Sequence, residues 1–480
     1  MSYLKPSQLK EIPIYDKFEP LIKVQLNNDI KIDVLNGSLK QEDGKIVSEF
    51  SKLPQIAKPQ EVSDILKLVK SVPFDTDPDS VDCMCTHEFY IDSPEIKNGS
   101  SSSNQMKKDN DKKILKIRTQ IREKLLNIMN PIIKNRITPY VRMLYSQNNE
   151  LDRQCTPCYC FVRRYKQNER RTHATHRDGH AYATVVISLS DYEKEYRGGI
   201  YVATTERYKQ TVVLNRGDAL VHKYDLLHGV KVKNDGGERW SWILWYKDST
   251  KCKDYSKEWF KAKAYEGIPL YQALYANTGC EGVVEWHIKA ANQGFSNSMV
   301  KLARGYLKLL KSKLPYNPKE AERLYRNAIK VAQDPHAQYG LAQMLLEGLI
   351  IKINNDTFVS VLKEVISLLE ESAKGGNVFA MFNLGIVHLY GYTGKQNIEL
   401  AIQWFEKCNL PEGFMITAMY YDSINNHEKA TVLRDRAKKM GYGTPWRQYA
   451  RKHTGLGGAG GVDINLPWPQ LPNGNKPQKW

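Results

Sequence analysis

The chain lacks a hydrophobic run of membrane-spanning length: nowhere do the ~18 consecutive apolar residues of a bilayer-crossing helix occur. Its first thirty residues, MSYLKPSQLKEIPIYDKFEPLIKVQLNNDI, hold no stretch of seven apolar residues behind a basic start, so a secretory leader is not expected. Cysteine is sparse, eight in 480 residues, which is ordinary for a reducing compartment where thiols stay unbonded. Folding without disulfides and a cytoplasmic location follow as the default expectations, with the nucleus the second choice. Acidic residues are outnumbered, 53 against 70 basic, for a net charge of +17. Such an excess suits an acidic partner, nucleic acid included. The basic residues are spread along the chain, however, as on solvated helix faces.

What is present reads as an α+β multidomain protein, too long for one core, with 41% hydrophobic and 26% charged residues. Residues 1–113 form an N-terminal mixed region of short apolar runs, ending in PEIKNGSSSSNQMKKDNDKK (94–113), whose composition is that of a flexible linker. Residues 114–147 place apolar side chains at helical spacing, with Pro131 and Pro139 positioned to kink or divide the helix; they are expected to buttress a sheet. From Tyr159 to Tyr246 the pattern turns to short β-rich runs: TVVISLS, GIYVAT, TVVLN, DALVH, GVKV and WSWILWY. Turn residues punctuate them, Asn215-Arg216-Gly217-Asp218 and Asn234-Asp235-Gly236-Gly237 among them. Closely spaced strands without intervening helices imply an antiparallel double-stranded β-helix, or jelly roll. With the preceding helices this gives a second domain over 114–250.

Beyond Asp248 the period becomes helical and repeats. Trp286, Tyr325, Leu369 and Phe405 head similar segments at intervals of 39, 44 and 36 residues. SMVKLARGYL, AQYGLAQMLL and AMFNLGIVHLYG each put small residues where paired helices cross closely. Periods near 40 mark a helical-hairpin solenoid. These segments resemble Sel1-like repeats, relatives of tetratricopeptide arrays, over residues 265–440. The Gly-, Pro- and Asn-rich tail, 454–480, is expected to be disordered.

The chemistry concentrates at His176-Arg177-Asp178, followed fifty residues on by His228 and eleven later by Arg239. Two imidazoles and one carboxylate form the facial triad of a non-haem iron(II) oxygenase, leaving open coordination positions for co-substrate and oxygen. On adjoining strands, residues fifty apart can share one metal. Other histidines compete: His173 and His180 lack an acidic residue two positions on, and His222 sits inside a strand pattern. His228 is therefore preferred to His222, and His180 is placed to touch substrate.

The run FVRRYKQNERRTHATHRDGH, followed by VVISLS, YRGGIYV, RGDALVHKYDLLHGVKV and GERWSWILWY, resembles the prolyl-4-hydroxylase-like 2-oxoglutarate/Fe(II) dioxygenases across residues 159–247. The resemblance implies that His176, Asp178 and His228 bind Fe(II) and that Arg239 pairs with the distal carboxylate of 2-oxoglutarate. It implies that Tyr165 lines the same pocket. Where some members carry a tyrosine that helps hold the co-substrate, this chain has Ser188. The implied reaction consumes O₂ and 2-oxoglutarate, releases succinate and CO₂, and hydroxylates a C–H bond, with ascorbate a compatible reductant. Asp178 argues against halogenation, which needs that ligand position vacant for chloride.

Other motifs have structural readings beside the functional ones. Cys155-Thr-Pro-Cys158 with Cys160 has a redox or zinc look, and Cys83 and Cys85 could complete a zinc set, but unbonded thiols ahead of a core strand are the simpler reading. Trp240, Trp242 and Trp245 are read as core packing rather than an aromatic binding face. The leading expectation is hydroxylation of a protein side chain such as proline, with the repeats recruiting the polypeptide. Nucleic-acid oxidation is the alternative, suggested by Arg163-Arg164 and Arg170-Arg171; an inactive scaffold is the third.

Overall fold

The computed structural model describes residues 3–40, 46–76, 79, 84–97, 110–145, 155–235, 237–247, 252, 256–310, 312–354, 356–443 and 466–470. The strands are β1 (Ile22–Gln25), β2 (Lys31–Lys40), β3 (Ile46–Leu53), β4 (Glu88–Asp92), β5 (Pro157–Tyr165), β6 (Thr172–His176), β7 (Ala183–Ser188), β8 (Gly198–Ala203), β9 (Lys209–Thr211), β10 (Ala219–Lys223), β11 (Leu227–Val232) and β12 (Arg239–Tyr246). They make an eight-stranded sheet, β1-β2-β3-β10-β7-β12-β5-β4, facing a four-stranded sheet, β6-β11-β8-β9. From β5 to β12 the chain crosses between the sheets at every step except β8 to β9, which is the double-stranded β-helix.

Central strands are buried on both faces, which is why ATVVIS and RWSWILWY read as nearly continuous apolar runs. One face of β5, β7, β10 and β12 presents Phe161, Val186, Leu220 and Ile243 to Ile200, Val202 and Val230 of the small sheet. The other presents Val162, Val185, Ile187, Val221, Trp242 and Leu244 to helices. Those helices are α1 (Pro59–Val69), α3 (Asn110–Ile132) and α4 (Thr138–Tyr145), a short α2 (Pro94–Lys97) lying between the first two. Pro131 lies inside α3; a π-helical turn, Ile133–Ile137, then carries the chain into α4, whose first turn holds Pro139. The helix is thus reshaped ahead of Pro139, which has no N–H to offer an α-helical ladder, rather than broken.

The segment set apart at residues 1–113 joins the same sheet. Strand β3 pairs with β10, placing Phe50 opposite His222, and β4 pairs with β5. Sequence periodicity shows a strand but not its partner. Of the expected linker 94–113, residues 98–109 lie outside the described residues.

Two expectations are corrected and one is refined. Cys158 and Cys252 form a disulfide, their Cα atoms 5.4 Å apart, within the span such a bond requires; the spacing of 94 residues hid the pairing. All three tryptophans pack in the core as expected, but on two faces: Trp240 and Trp242 against the helices, Trp245 in the aromatic cluster between the sheets with Phe161 and Tyr159. The odd step from 242 to 245 reverses its face. Finally, within the expected disordered tail, Leu466 and Trp468 are buried in the repeat core.

The repeats comprise α5 (Ser256–Tyr265), α6 (Pro269–Asn277), α7 (Val283–Asn292), α8 (Ser296–Tyr306), α9 (Pro318–Ala332), α10 (Pro335–Leu346), α11 (Phe358–Lys374), α12 (Val378–Tyr390), α13 (Ile398–Cys408), α14 (Pro411–Ser423) and α15 (His427–Lys439). Asn317, Asp334, Asn377, Asn397 and Asn426 cap α9, α10, α12, α13 and α15 with side-chain oxygens that accept first-turn amides. At the close crossings, a Cβ added to Gly340 or Gly385 would meet the ring of Tyr325 or Phe405 within 2.9 Å. The small residues are steric necessities.

Candidate metal centre

His176 ends β6, Asp178 follows in the turn before β7, and His228 lies on β11 directly opposite His176. One ligand atom from each falls within 4.8 Å of the others, and no further such group occurs among the described residues. Nε2 of His176 is 3.3 Å from Asp178 Oδ1, and Nε2 of His228 is 3.7 Å from Oδ2. Each ring is oriented from behind. The Nδ1 of His176 lies 2.8 Å from the Ala174 carbonyl, and that of His228 lies 3.1 Å from the Leu226 carbonyl. A carbonyl only accepts, so both Nδ1 atoms carry a hydrogen and both Nε2 atoms face the carboxylate, the positions from which they would ligate a metal once unprotonated. Thr184, facing inward from β7, donates its hydroxyl to Asp178 Oδ2 at 2.7 Å.

The electrostatics suit a cation. Burial opposes ionisation of Asp178, yet the neighbouring His228 and His176 hold its carboxyl well below the usual range. Burial, followed by the charges of His176 and His222, pushes His228 well below an ordinary histidine, so its imidazole is neutral and available as a ligand. Burial would also lower His176, but its hydrogen bond to Asp178 and the carboxylate charge raise it instead. Without a metal, Asp178 and His176 share a proton that a metal ion would displace.

The remaining candidates take separate places. Arg239 opens β12, 1% exposed, paired in register with Tyr165 on β5; its guanidinium lies 5.7 Å from the Tyr165 ring and 5.8 Å from that of Tyr196. Its Nε and Nη2 are buried without hydrogen-bond partners, as is the hydroxyl of Ser241 two residues on. Ser188 is opposite Ser241, and its hydroxyl donates to the Ser190 carbonyl at 2.8 Å. An unpaired buried guanidinium is costly unless an anion completes it, and a planar carboxylate is the matching shape. The donor set therefore fits both a divalent metal with imidazole and carboxylate preference and a carboxylate co-ligand.

Three residues escaped the sequence reading. Thr184 was legible in principle, since Thr184, Val186 and Ser188 share one face of β7. Tyr196, beside Arg239, anchors its hydroxyl on the Leu214 carbonyl at 2.8 Å. Asp79 accepts from Nε2 of His173 at 2.9 Å, and the His173 ring stacks on His176 at 4.2 Å; nothing near Asp79 in sequence marks it. His222 keeps a buried, partnerless Nε2 and stands 4.4 Å from the His228 ring, outside the ligand group. His180 is exposed and meets Trp245 edge-on at 4.3 Å.

The Sel1 repeat model matches residues 284–295, 296–330, 335–357 and 378–407, falling on α7 to α10, α12 and α13. These helical pairs are Sel1 repeats. Among solved structures, a Sel1 repeat protein from Oxalobacter formigenes is similar at 21% identity and a TM-score of 0.34, covering 41% of this chain and 58% of its own. The chain thus spans less than two thirds of that protein. A 2OG-Fe(II) oxygenase family oxidoreductase from Burkholderia pseudomallei is similar at 15% identity and a TM-score of 0.26, over 42% of this chain and 86% of its own. HygX from Streptomyces hygroscopicus, with nickel and 2-oxoglutarate bound, is similar at 13% and 0.29, over 42% and 84%. No curated protein matches the chain. The Sel1 array meets the sheet domain through Arg207 and Glu371, 3.3 Å apart, and through Met84, buried in the array's core.

Proposed function

We propose that this chain is a 2-oxoglutarate- and Fe(II)-dependent dioxygenase that hydroxylates a C–H bond of a protein side chain, proline being the first candidate, with the Sel1 repeats recruiting the polypeptide. The observation that carries the reading is a buried His-Asp-His face together with a buried arginine at the start of β12 whose Nε and Nη2 lack partners. Bound Fe(II) with 2-oxoglutarate would supply an oxidant from O₂, with succinate and CO₂ as co-products. His176, Asp178 and His228 would hold the metal, and Arg239, with the Ser241 hydroxyl, would take the distal carboxylate. Tyr165 and Tyr196 flank that guanidinium and exclude water from it, which strengthens its attraction for an anion. Ser188 shapes the wall opposite Ser241.

The alternative of a nucleic-acid substrate loses its specific support. Arg163 pairs with Glu88, and Arg164 binds Glu169 at 2.7 Å. Arg170 and Arg171 are 2% and 1% exposed, and Arg171 donates to the Gly237 and Lys233 carbonyls. These cations are committed inside the fold.

Anaerobic addition of Fe(II) and 2-oxoglutarate should give the visible charge-transfer band of an iron chelate, weakened in Arg239→Ala, and His176→Ala should abolish succinate formation. A folded wild type that shows no band with any added 2-oxoglutarate would overturn the reading.

A further inference from the structure

The short ordered piece of the C-terminal tail is held by a built pocket on the repeats. Leu466, Pro467 and Trp468 make a tight turn, the Trp468 amide donating to the Leu466 carbonyl at 2.9 Å around the fixed φ of proline. Trp468 is 3% exposed; its ring lies 4.7 Å from that of Tyr392, and its indole N–H donates to Asn383 Oδ1 at 3.0 Å. Asn383, fully buried on α12, is preset for this: its amide donates to the Phe379 carbonyl at 2.9 Å and to Tyr339 Oη at 3.1 Å, leaving Oδ1 to accept. The Tyr392 hydroxyl donates to the Pro469 carbonyl at 2.5 Å. A buried asparagine oriented by two bonds reads one indole, and a tyrosine reads the main chain beyond it.

Such features define a peptide site by its ligand: an apolar side chain, a proline turn, a buried indole and a second proline. Prolines cost little to order, and a tryptophan anchor in a desolvated pocket is the usual carrier of short-motif affinity. We infer that the face formed by Asn383 of α12 and Tyr392 in the turn that follows it is a recognition site for Leu-Pro-Trp-Pro segments of other polypeptides, with residues 466–470 as its resident occupant. A partner binds by displacing that occupant. The inference rests on the recruiting role given to the repeats in the reading above, but not on the metal chemistry.

The test uses the full-length chain without metal, so a failed dioxygenase assay leaves it untouched. A fluorescent peptide of sequence INLPWPQLP is titrated against wild type and Trp468→Ala. The variant should bind in the micromolar range. Wild type should bind at least ~10-fold more weakly, because a tethered competitor acts at up to millimolar effective concentration. Adding Asn383→Leu to the variant, or replacing the peptide's tryptophan by alanine, should remove binding. Should Trp468→Ala not fold, as judged by circular dichroism and melting, Trp468→Leu takes its place, keeping an apolar plug without the indole donor. No peptide binding to a folded variant, equal affinity of variant and wild type, or indifference to the peptide's tryptophan would each show residues 466–470 to be a structural strap and overturn the inference.

Discussion

At the residue scale the site is governed by a proton. The raised folded pKa of His176 contributes stability to the metal-free protein at pH below its unfolded value, lost as pH rises through the folded one. Asp178, depressed, contributes above its unfolded value, and that contribution is lost as pH falls through its folded one. Between them the ion pair persists, and a metal must displace the His176 proton. Metal affinity, followed with Co(II) from about pH 8 to about pH 5, should therefore fall on acidification, starting above the ~6.5 of an ordinary histidine. A flat profile across that range would show that His176 is not a ligand. At the start of β12, Arg239→Ala should raise KM for 2-oxoglutarate roughly thirtyfold, about 2 kcal/mol for a charge-assisted pair, with Co(II) affinity unchanged. Loss of both together would mean that the arginine supports the fold rather than the co-substrate.

At the element scale, β11 is held between β6 and β8, and its register sets His228 against His176. Gly229 makes the close approach achievable: an added Cβ would collide with the Tyr201 hydroxyl and lie 2.8 Å from the His173 carbonyl. Gly229→Ala should cost about 1–3 kcal/mol of stability through overpacking. It should weaken metal binding by more than that loss predicts, since β11 must shift and take His228 with it; equal metal affinity in a destabilised variant would disprove the link. Thr184→Val, removing the hydroxyl that orients Asp178, should lower metal affinity ~10-fold by titration with little change in melting. Sequence pattern exposed much of this scale. The runs around β7, β8, β10, β11 and β12, the helices 114–147 and the repeat periodicity are local signals, as is His-x-Asp with a later histidine. It did not expose β3 against β10, Asp79 beneath His173, or Cys158 joined to Cys252, because each depends on a contact between distant residues. Thr184, Tyr196 and His222 fall between: their strands were readable, but a role set by one hydroxyl or one lone pair appears only when the opposite sheet is in place.

At the scale of the whole molecule, the first helices of the array share the sheet's core through Phe260, Ala264, Tyr271 and Leu274, and a separate contact farther along the array leads toward the metal. Met84, buried in the repeat core, offers its carbonyl to the Asp79 amide at 2.9 Å and to Arg170 at 3.4 Å. Asp79 in turn bonds His173, which stacks on His176. Packing at the array is thereby continuous with the support of a candidate ligand. The disulfide acts elsewhere, tying β5 to the segment after β12 across 94 residues. Removing that constraint with Cys158→Ser should cost about 4 kcal/mol by loop entropy. Because oxidised cysteines persist outside reducing compartments, thiol counting on protein from its native source also tests the cytoplasmic expectation. Met84→Ala separates the two connections. Its cavity should cost about 2–5 kcal/mol of stability, as for other buried methionines. If the chain of contacts carries strain, it should also loosen His176 and reduce Co(II) affinity, whereas Leu384→Ala, an equally buried change in the array without a neighbour at Asp79, should destabilise without touching the metal. Identical metal affinities in the two variants would leave the array a recruiting platform with no mechanical hold on the site.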